Sequence, residues 1–105
     1  MENKHYTYRV IWSSEDNEHI GLCAEFPSLS WCATSAEEAL LGIMKLVGEV
    51  LQDMHEQEEE VPTPFSLQSF SGKFQLRIPP ELHRSLAIQA AENRVSLNRY
   101  IASKL

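Results

Sequence analysis

The sequence lacks any apolar run long enough to cross a membrane. Its longest apolar stretch runs only from Ala39 to Met44, whereas a membrane-spanning helix needs about 20 residues. Residues 2–5 are polar and do not have the apolar segment of a secretory signal peptide. These absences predict a cytoplasmic protein with no membrane partner.

Cysteine is scarce, and histidine is scattered. The two cysteines, Cys23 and Cys32, fit reduced thiols packed as small apolar groups better than a disulfide, since the chain has no export signal. The four histidines have no spacing typical of a metal site, such as Cys-x2-Cys or His-x3-His. The sequence therefore predicts no metal site and no cofactor.

Basic residues are rare in the first part of the chain. Residues 1–65 contain three basic and thirteen acidic side chains, a net charge of −10, and residues 66–105 contain six basic and two acidic ones, a net charge of +4. This division suggests a basic partner for the front and a nucleic acid for the tail. An acidic excess that only keeps the protein soluble is the simpler alternative.

The front of the chain has the pattern of a small antiparallel sheet. Residues 6–13 are rich in aromatic and β-branched side chains, and Ser14 to Asn17 supply a turn. Residues 19–26 form the returning strand, which ends at Pro27, and residues 30–33 are compatible with a short third strand.

One long amphipathic helix is predicted from about residue 36 to 58. Ser35 can cap its first turn while Glu38 reaches back, and apolar residues then recur at helical spacing as far as Met54. This apolar stripe is wide enough to cover one face of the sheet. Acidic residues at 56–60 are unfavourable to the helix dipole and predict a frayed end.

The interval 61–72 reads as a connector. It contains Pro62, Pro64 and Gly72, but its apolar residues, among them Phe65 and Phe70, are too many for a free linker. We therefore expect it to include a short edge strand that returns to the sheet.

The last part of the chain predicts one strand and two short helices. Pro79 ends a strand at 73–78, and the helices follow at about 80–92 and after the capping residue Ser96, with Asn93 in the left-handed conformation between them. The strand alternates apolar and polar side chains, with Phe74, Leu76 and Ile78 on one face and Lys73, Gln75 and Arg77 on the other. A lone strand cannot satisfy its backbone or cover its apolar face, so a dimer with this apolar face in its core is expected.

These residues resemble the ribbon-helix-helix family of bacterial repressors. The resemblance covers the alternating Phe-x-Leu-x-Ile strand, the proline that ends it and the Ser-Leu-Asn start of the second helix. It implies that a ribbon of two strands enters the major groove of DNA. The residues expected to meet base edges are Lys73, Gln75 and Arg77, and those expected to hold a phosphate at the helix start are Ser96, Leu97 and Asn98. Polar residues that only solvate a dimerisation ribbon would look the same.

Across essentially its whole length, the chain resembles the HicB family of antitoxins. The shared features are the strand at 6–11, the strand at 21–26 that ends in Glu-Phe-Pro, the helix entry at 33–39 and the Ser-Gly-Lys-Phe at 71–74. The resemblance implies that the front half is a cut-down ribonuclease H fold, which masks a small basic toxin, HicA, that cleaves messenger RNA. The acidic front agrees with such a partner.

The expected fold is therefore α+β. Residues 1–65 form a small antiparallel sheet on one long helix (partial ribonuclease H-like), residues 66–72 form a connector, and residues 73–105 form a ribbon-helix-helix domain. The expected function is that of an antitoxin that masks a HicA-type toxin. As a homodimer, or as a tetramer built from two dimers, it also represses its own operon at a palindromic operator.

Two other functions stay open. One is a one-component transcriptional regulator whose front domain binds a small ligand in a pocket of Tyr8, Trp12 and Trp31, although these aromatics fit a core better. The other is a residual ribonuclease, which needs several converging carboxylates. Only Glu25, late in a strand, is suggestive, so no enzyme activity and no catalytic residue are expected.

Overall fold

The computed structural model describes residues 2–105 and has the element order β-β-β-α, a 3₁₀ turn, then α-α. Its internal contacts divide it into two compact units. We call them the front unit, which ends at Phe70, and the tail unit, Ser71–Leu105. This division falls inside the predicted connector at 66–72.

The front unit contains a three-stranded antiparallel sheet in which the second strand is central. Its strands are β1 (Tyr8–Ser13), β2 (Glu18–Cys23) and β3 (Ser30–Ala33). Asn17, at φ 52°, lies in the turn between β1 and β2, and asparagine tolerates this left-handed conformation. All three predicted strands are confirmed, but β1 begins two residues later than predicted and β2 covers 18–23 in place of 19–26.

The long helix α1 (Ala36–Glu56) packs on one face of this sheet. Three residues spaced four positions apart, Ile43, Val47 and Leu51, are fully buried. They form the core together with Tyr6 and Cys23. Burial of this stripe, at about 1.5–3 kcal/mol for each large side chain, is the main stabilisation of the front unit. The predicted helix and its role are thus confirmed.

The start of α1 is capped as predicted only in part. The Oγ of Ser35 accepts a hydrogen bond from the Glu38 amide at 3.1 Å. The Glu38 carboxylate accepts from the Oγ1 of Thr34 at 3.4 Å and does not reach back to the Ser35 amide.

The end of α1 is a closed cap and not the frayed end predicted at 56–60. Glu58 adopts the left-handed conformation, at φ 56°. Its amide donates to the carbonyl of His55 at 3.1 Å, and the amide of Glu59 donates to the carbonyl of Met54 at 2.8 Å. This pair of bonds is the Schellman motif, which satisfies the last carbonyls of a helix, so α1 stops at Glu56.

The prediction of an edge strand within 61–72 is wrong. The segment instead contains a 3₁₀ turn, Phe65–Leu67, and side chains of the front unit hold it. The Tyr6 hydroxyl donates to the carbonyl of Pro62 at 2.7 Å, and the Ser66 hydroxyl donates to the carbonyl of His5 at 2.6 Å. Pro62 and Pro64 have no amide hydrogen to give to a strand ladder, which favours this arrangement.

The tail unit contains α2 (Pro80–Glu92) and α3 (Leu97–Lys104), which confirm both predicted short helices. The residue with left-handed conformation between them is Arg94, at φ 57°, and not Asn93, whose φ is −90°. The Arg94 and Val95 amides donate to the carbonyls of Ala91 and Ala90, a second Schellman motif. The left-handed position therefore falls one residue after the predicted one.

Residues 71–79 are not assigned as strand in this single chain. A strand is defined by ladder hydrogen bonds to a neighbour. The strand at 73–78 stays a prediction about the assembled protein.

Candidate nucleic-acid interface and partner surfaces

An apolar groove of about 480 Å³ lies in the tail unit, between the segment at 72–78 and α3. Its large apolar lining residues are Phe74, Leu76, Ile78, Leu97, Ile101 and Leu105. Phe74 is 75% exposed and Leu76 is 59% exposed, and within residues 71–105 only Ala90 is buried. This much uncovered apolar surface on so small a unit is typical of a surface that another chain covers.

The polar residues of the same segment are arranged differently. Gln75 and Arg77 are exposed and do not line the groove, whereas Lys73, which was predicted to share their face, is one of its lining residues. The structure thus gathers Phe74 and its apolar neighbours on the groove side. Contact between the polar set and DNA stays a prediction.

The start of α3 presents free backbone donors. The Oγ of Ser96 accepts from the Arg99 amide at 3.1 Å, and the Ser96 carbonyl accepts from the Tyr100 amide at 2.9 Å. The amides of Leu97 and Asn98 come before the first possible intrahelical bond, so they have no acceptor in their own helix. The first turn contains no acidic residue, and the positive end of the helix dipole is therefore not neutralised locally.

The two helices of the tail unit are joined by a contact that the sequence pattern did not indicate. The Tyr100 hydroxyl donates to the Oε1 of Gln89 on α2 at 2.6 Å, and the ammonium of Lys104 lies 5.2 Å from the centre of the Tyr100 ring. The side-chain amide of Asn93 donates to the Gln89 carbonyl at 2.7 Å. The bond between Tyr100 and Gln89 joins α3 to the end of α2, and the other two contacts lie within the end of α2 and within α3.

Glu25, the carboxylate that sequence analysis found suggestive of catalysis, is occupied by hydrogen bonds. It accepts from the amide and the hydroxyl of Thr7 at 2.9 and 3.0 Å, and from the amide of Phe65 at 2.9 Å. Partial burial alone would raise the pKa of this carboxyl, but the amides of Phe65 and Thr7 together outweigh burial and lower the pKa. Glu25 thus joins the connector to the sheet.

Two of the three aromatics of the hypothetical ligand pocket lie on opposite edges of the sheet. Trp12 lies on β1 and Trp31 on β3, the two edge strands, and they are 54% and 42% exposed. They are therefore not the core residues that sequence analysis expected. Trp31 lies against Gly42 of α1, where a Cβ would overlap the indole. The Tyr8 hydroxyl donates to the Asn3 carbonyl at 2.6 Å, and burial, followed by the nearby Cys23 and Glu25, raises the pKa of Tyr8 to about 12.

The outer side of α1 is acidic. Glu49, Asp53 and Glu56 surround a shallow depression that also includes Asn3 and Lys45. Across residues 2–105, the single ion pair joins Lys4 to Glu2 at 3.8 Å. The acidic side chains of α1 are thus free to attract a basic partner.

Residues 2–105 contain neither a metal-binding cluster nor a membrane-spanning helix. No three His, Cys, Asp or Glu side chains there are close enough to hold a metal ion. None of the helices in that range combines the length and the apolar character that a membrane crossing requires.

The fold is that of an α+β protein with two compact units, and the tail unit has an open apolar groove. A comparison with protein-family models matches residues 55–105 to the HicB family. The match covers the end of α1, the connector and the whole tail unit, and it shows that this part of the chain is similar to proteins of the HicB family. Comparisons with curated proteins and with solved structures found no match.

Proposed function

We propose that this protein is an antitoxin that masks a HicA-type toxin with its front unit and binds operator DNA with a dimer of its tail unit. The observation that carries the proposal is the open apolar groove of the tail unit, which lies within the range matched by the HicB family. We further propose that the front unit is a partial ribonuclease H-like fold and that the paired tail is a ribbon-helix-helix domain.

Dimerisation follows from the groove. Two copies of the segment at 73–78 would pair as antiparallel strands, which gives each backbone its ladder partners. The same pairing would bury Phe74, Leu76 and Ile78 among the groove residues of both copies. Six such side chains contribute on the order of 10 kcal/mol, which is comparable to the roughly 4–15 kcal/mol that association costs. A dimer is therefore the smallest assembly that we expect to be stable.

DNA binding follows from the outer side of this ribbon. The dimer would present two copies of Lys73, Gln75 and Arg77, whose donors suit guanine and, for glutamine, adenine in the major groove. The amides of Leu97 and Asn98, behind Ser96, would hold a phosphate oxygen on each side. The tail net charge of +4 in each copy supports a nucleic acid as the ligand.

Toxin binding follows from the charge of the front unit. Residues 1–65 have a net charge of −10, and the acidic side chains on the outer side of α1 are not paired with cations. A small basic protein would be attracted to this side and fixed in register by it. We propose binding without catalysis, since the Glu25 carboxylate is engaged by Thr7 and Phe65, and we place this activity in the cytoplasm.

The decisive experiment uses the full chain and its genetic neighbourhood. The reading frame beside this gene should encode a small basic protein, which should co-purify with the full chain and stop growth when expressed alone. The full chain should also shift DNA from upstream of its own operon. A neighbour that does not bind, together with an unshifted promoter, would contradict the proposal.

A further inference from the structure

The sheet of the front unit has one covered face and one open face. The side-chain position of Gly21 faces α1, because a Cβ there would lie 2.8 Å from the Cγ2 of Ile43. Its register partners, Val10 and Trp31, share that side. The alternate residues of each strand point away from α1, which is the only helix in the described part of the front unit that contacts the strands.

The open face has an apolar centre. Ile11, Ile20 and Cys32 form one row across the three strands, in which Ile20 pairs with both neighbours. Ile11 is 39% exposed, and Cys32 is an exposed free thiol. The next row includes Arg9 and Leu22. Apolar side chains thus occupy the middle of a surface that faces water in the single chain.

The charge of this face differs from that of the unit around it. Ser13 pairs with Glu18 at one end of the face, and Arg9 pairs with Leu22 at the other end. The positive charge of Arg9 and the negative charge of Glu18 cancel, whereas residues 1–65 have a net charge of −10. A basic partner is therefore drawn to the acidic side of α1, and a second acidic copy meets least repulsion at this neutral face.

We propose that this open sheet face packs against the same face of a second copy, around a two-fold axis along the row of Ile11, Ile20 and Cys32. A symmetric contact requires a self-complementary patch. Rotation about this axis puts the apolar row against itself, and it puts Arg9 opposite the end of the face that holds Ser13 and Glu18. The two Cys32 thiols then face each other across the contact.

This contact between two sheets is small. It rests on the proposed function, because it needs the tail dimer. Three short strands bury less than the roughly 1,200 Å² of a stable interface, so the contact is weak by itself. The proposed tail dimer holds two front units on one molecule, which raises their effective concentration to about the millimolar range. At that concentration a weak contact between the sheets suffices.

The test is cross-linking of the full chain through Cys32 with a short bis-maleimide. Cys23 is buried, so Cys32 is the thiol that reacts. We expect a covalent dimer in the wild type, no covalent dimer in Cys32→Ser, and a several-fold lower yield in Ile11→Asp. Ile11→Thr, which keeps a β-branched side chain, should lower the yield less. Leu41→Asp, at an exposed apolar position on α1, is the matched control and should leave the yield unchanged.

The outcomes separate this contact from the proposed function. An equal yield in Ile11→Asp and wild type, or labelling of Cys32 by a single maleimide without any covalent dimer, overturns the contact. If the covalent dimer forms only when a basic partner protein is present, the open face belongs to that partner, and the proposed contact between two copies is also overturned. A protein that cross-links but does not shift DNA keeps the contact and contradicts the proposed function.

Discussion

The carboxylate of Glu25 accepts a hydrogen bond from the amide of Phe65, 2.9 Å away, across forty positions of the sequence. The same carboxylate holds the amide and hydroxyl of Thr7, just before β1. One side chain therefore joins the sheet to the segment that leads to the tail unit. Bonds to a charged acceptor contribute more than neutral ones, roughly 1.5–3 kcal/mol each at best.

Protonation of Glu25 should destabilise the front unit. The folded-state pKa lies below the ordinary value of 4.5, so the stabilisation is fully present above that value and is lost as the pH falls through the folded-state pKa. We expect the free energy of unfolding to fall in this acidic range, and Glu25→Gln should flatten that fall. The fluorescence of Trp12 and Trp31 reports unfolding of this unit.

The control for this prediction is Glu15→Gln, in the turn between β1 and β2, which should keep the pH dependence of the wild type. Glu25→Ala should lower the free energy of unfolding at neutral pH by about 1–2 kcal/mol. If the free energy of unfolding of Glu25→Gln falls with decreasing pH as steeply as that of the wild type, other carboxylates cause the loss of stability in acid.

The sequence predicted those elements whose signals are local. The capping residue Ser35 and the apolar residues Ile43, Val47 and Leu51 lie within a few helical turns of each other. Their pattern therefore indicates α1 directly. The alternation of the segment at 73–78 places Phe74, Leu76 and Ile78 on one face, and these three residues line the groove, but Lys73, which the alternation places on the other face, lines it too.

Other features depend on contacts between distant positions, and the sequence did not reveal them. The attachment of Phe65 to Glu25 replaced a predicted edge strand, because a side chain and not a strand ladder satisfies the amide. Trp12 and Trp31 were expected in a core, but the edge strands leave them half exposed. Asn93 has the higher left-handed propensity, yet the last helical bond of α2 puts Arg94 at that position.

Gly42 and Gly48, both in α1, should respond in opposite ways to alanine. A Cβ at Gly42 would overlap the Trp31 indole, whereas a Cβ at Gly48 would lie 3.2 Å from the side-chain nitrogen of Asn3, the end of a flexible group. Gly42→Ala should cost about 1–3 kcal/mol as overpacking. Gly48→Ala should be neutral or stabilising by up to about 1 kcal/mol, since alanine is the better helix former. Chemical denaturation measures both, and equal effects would contradict the placement of Trp31.

Glu58→Gly should stabilise the front unit by about 1 kcal/mol, because a non-glycine residue in the left-handed conformation costs about 1–2 kcal/mol. The change also removes a negative charge at the end of α1, which is unfavourable to the helix dipole. Glu58→Ala removes the same charge but keeps the Cβ, so it separates the two effects. A melting temperature that rises equally in both variants would assign the gain to the charge alone.

Arg77→Ala should weaken operator binding by about 1–3 kcal/mol if Arg77 meets a base edge. The measurement is a gel shift of upstream DNA at fixed salt, since the affinity of such a protein falls steeply with ionic strength. Arg84→Ala, an exposed arginine on α2, is the matched control: it removes the same charge from the tail unit without touching the ribbon.

The comparison of the two arginines decides what the ribbon does. A loss confined to Arg77→Ala supports base reading by the segment at 73–78, and an equal small loss in both variants would reduce Arg77 to a general contribution of charge. Co-purification of the toxin should survive both substitutions, because its proposed site is on the front unit. Loss of toxin binding in Arg77→Ala would mean that the two functions share the tail unit, against the division of charge between the units.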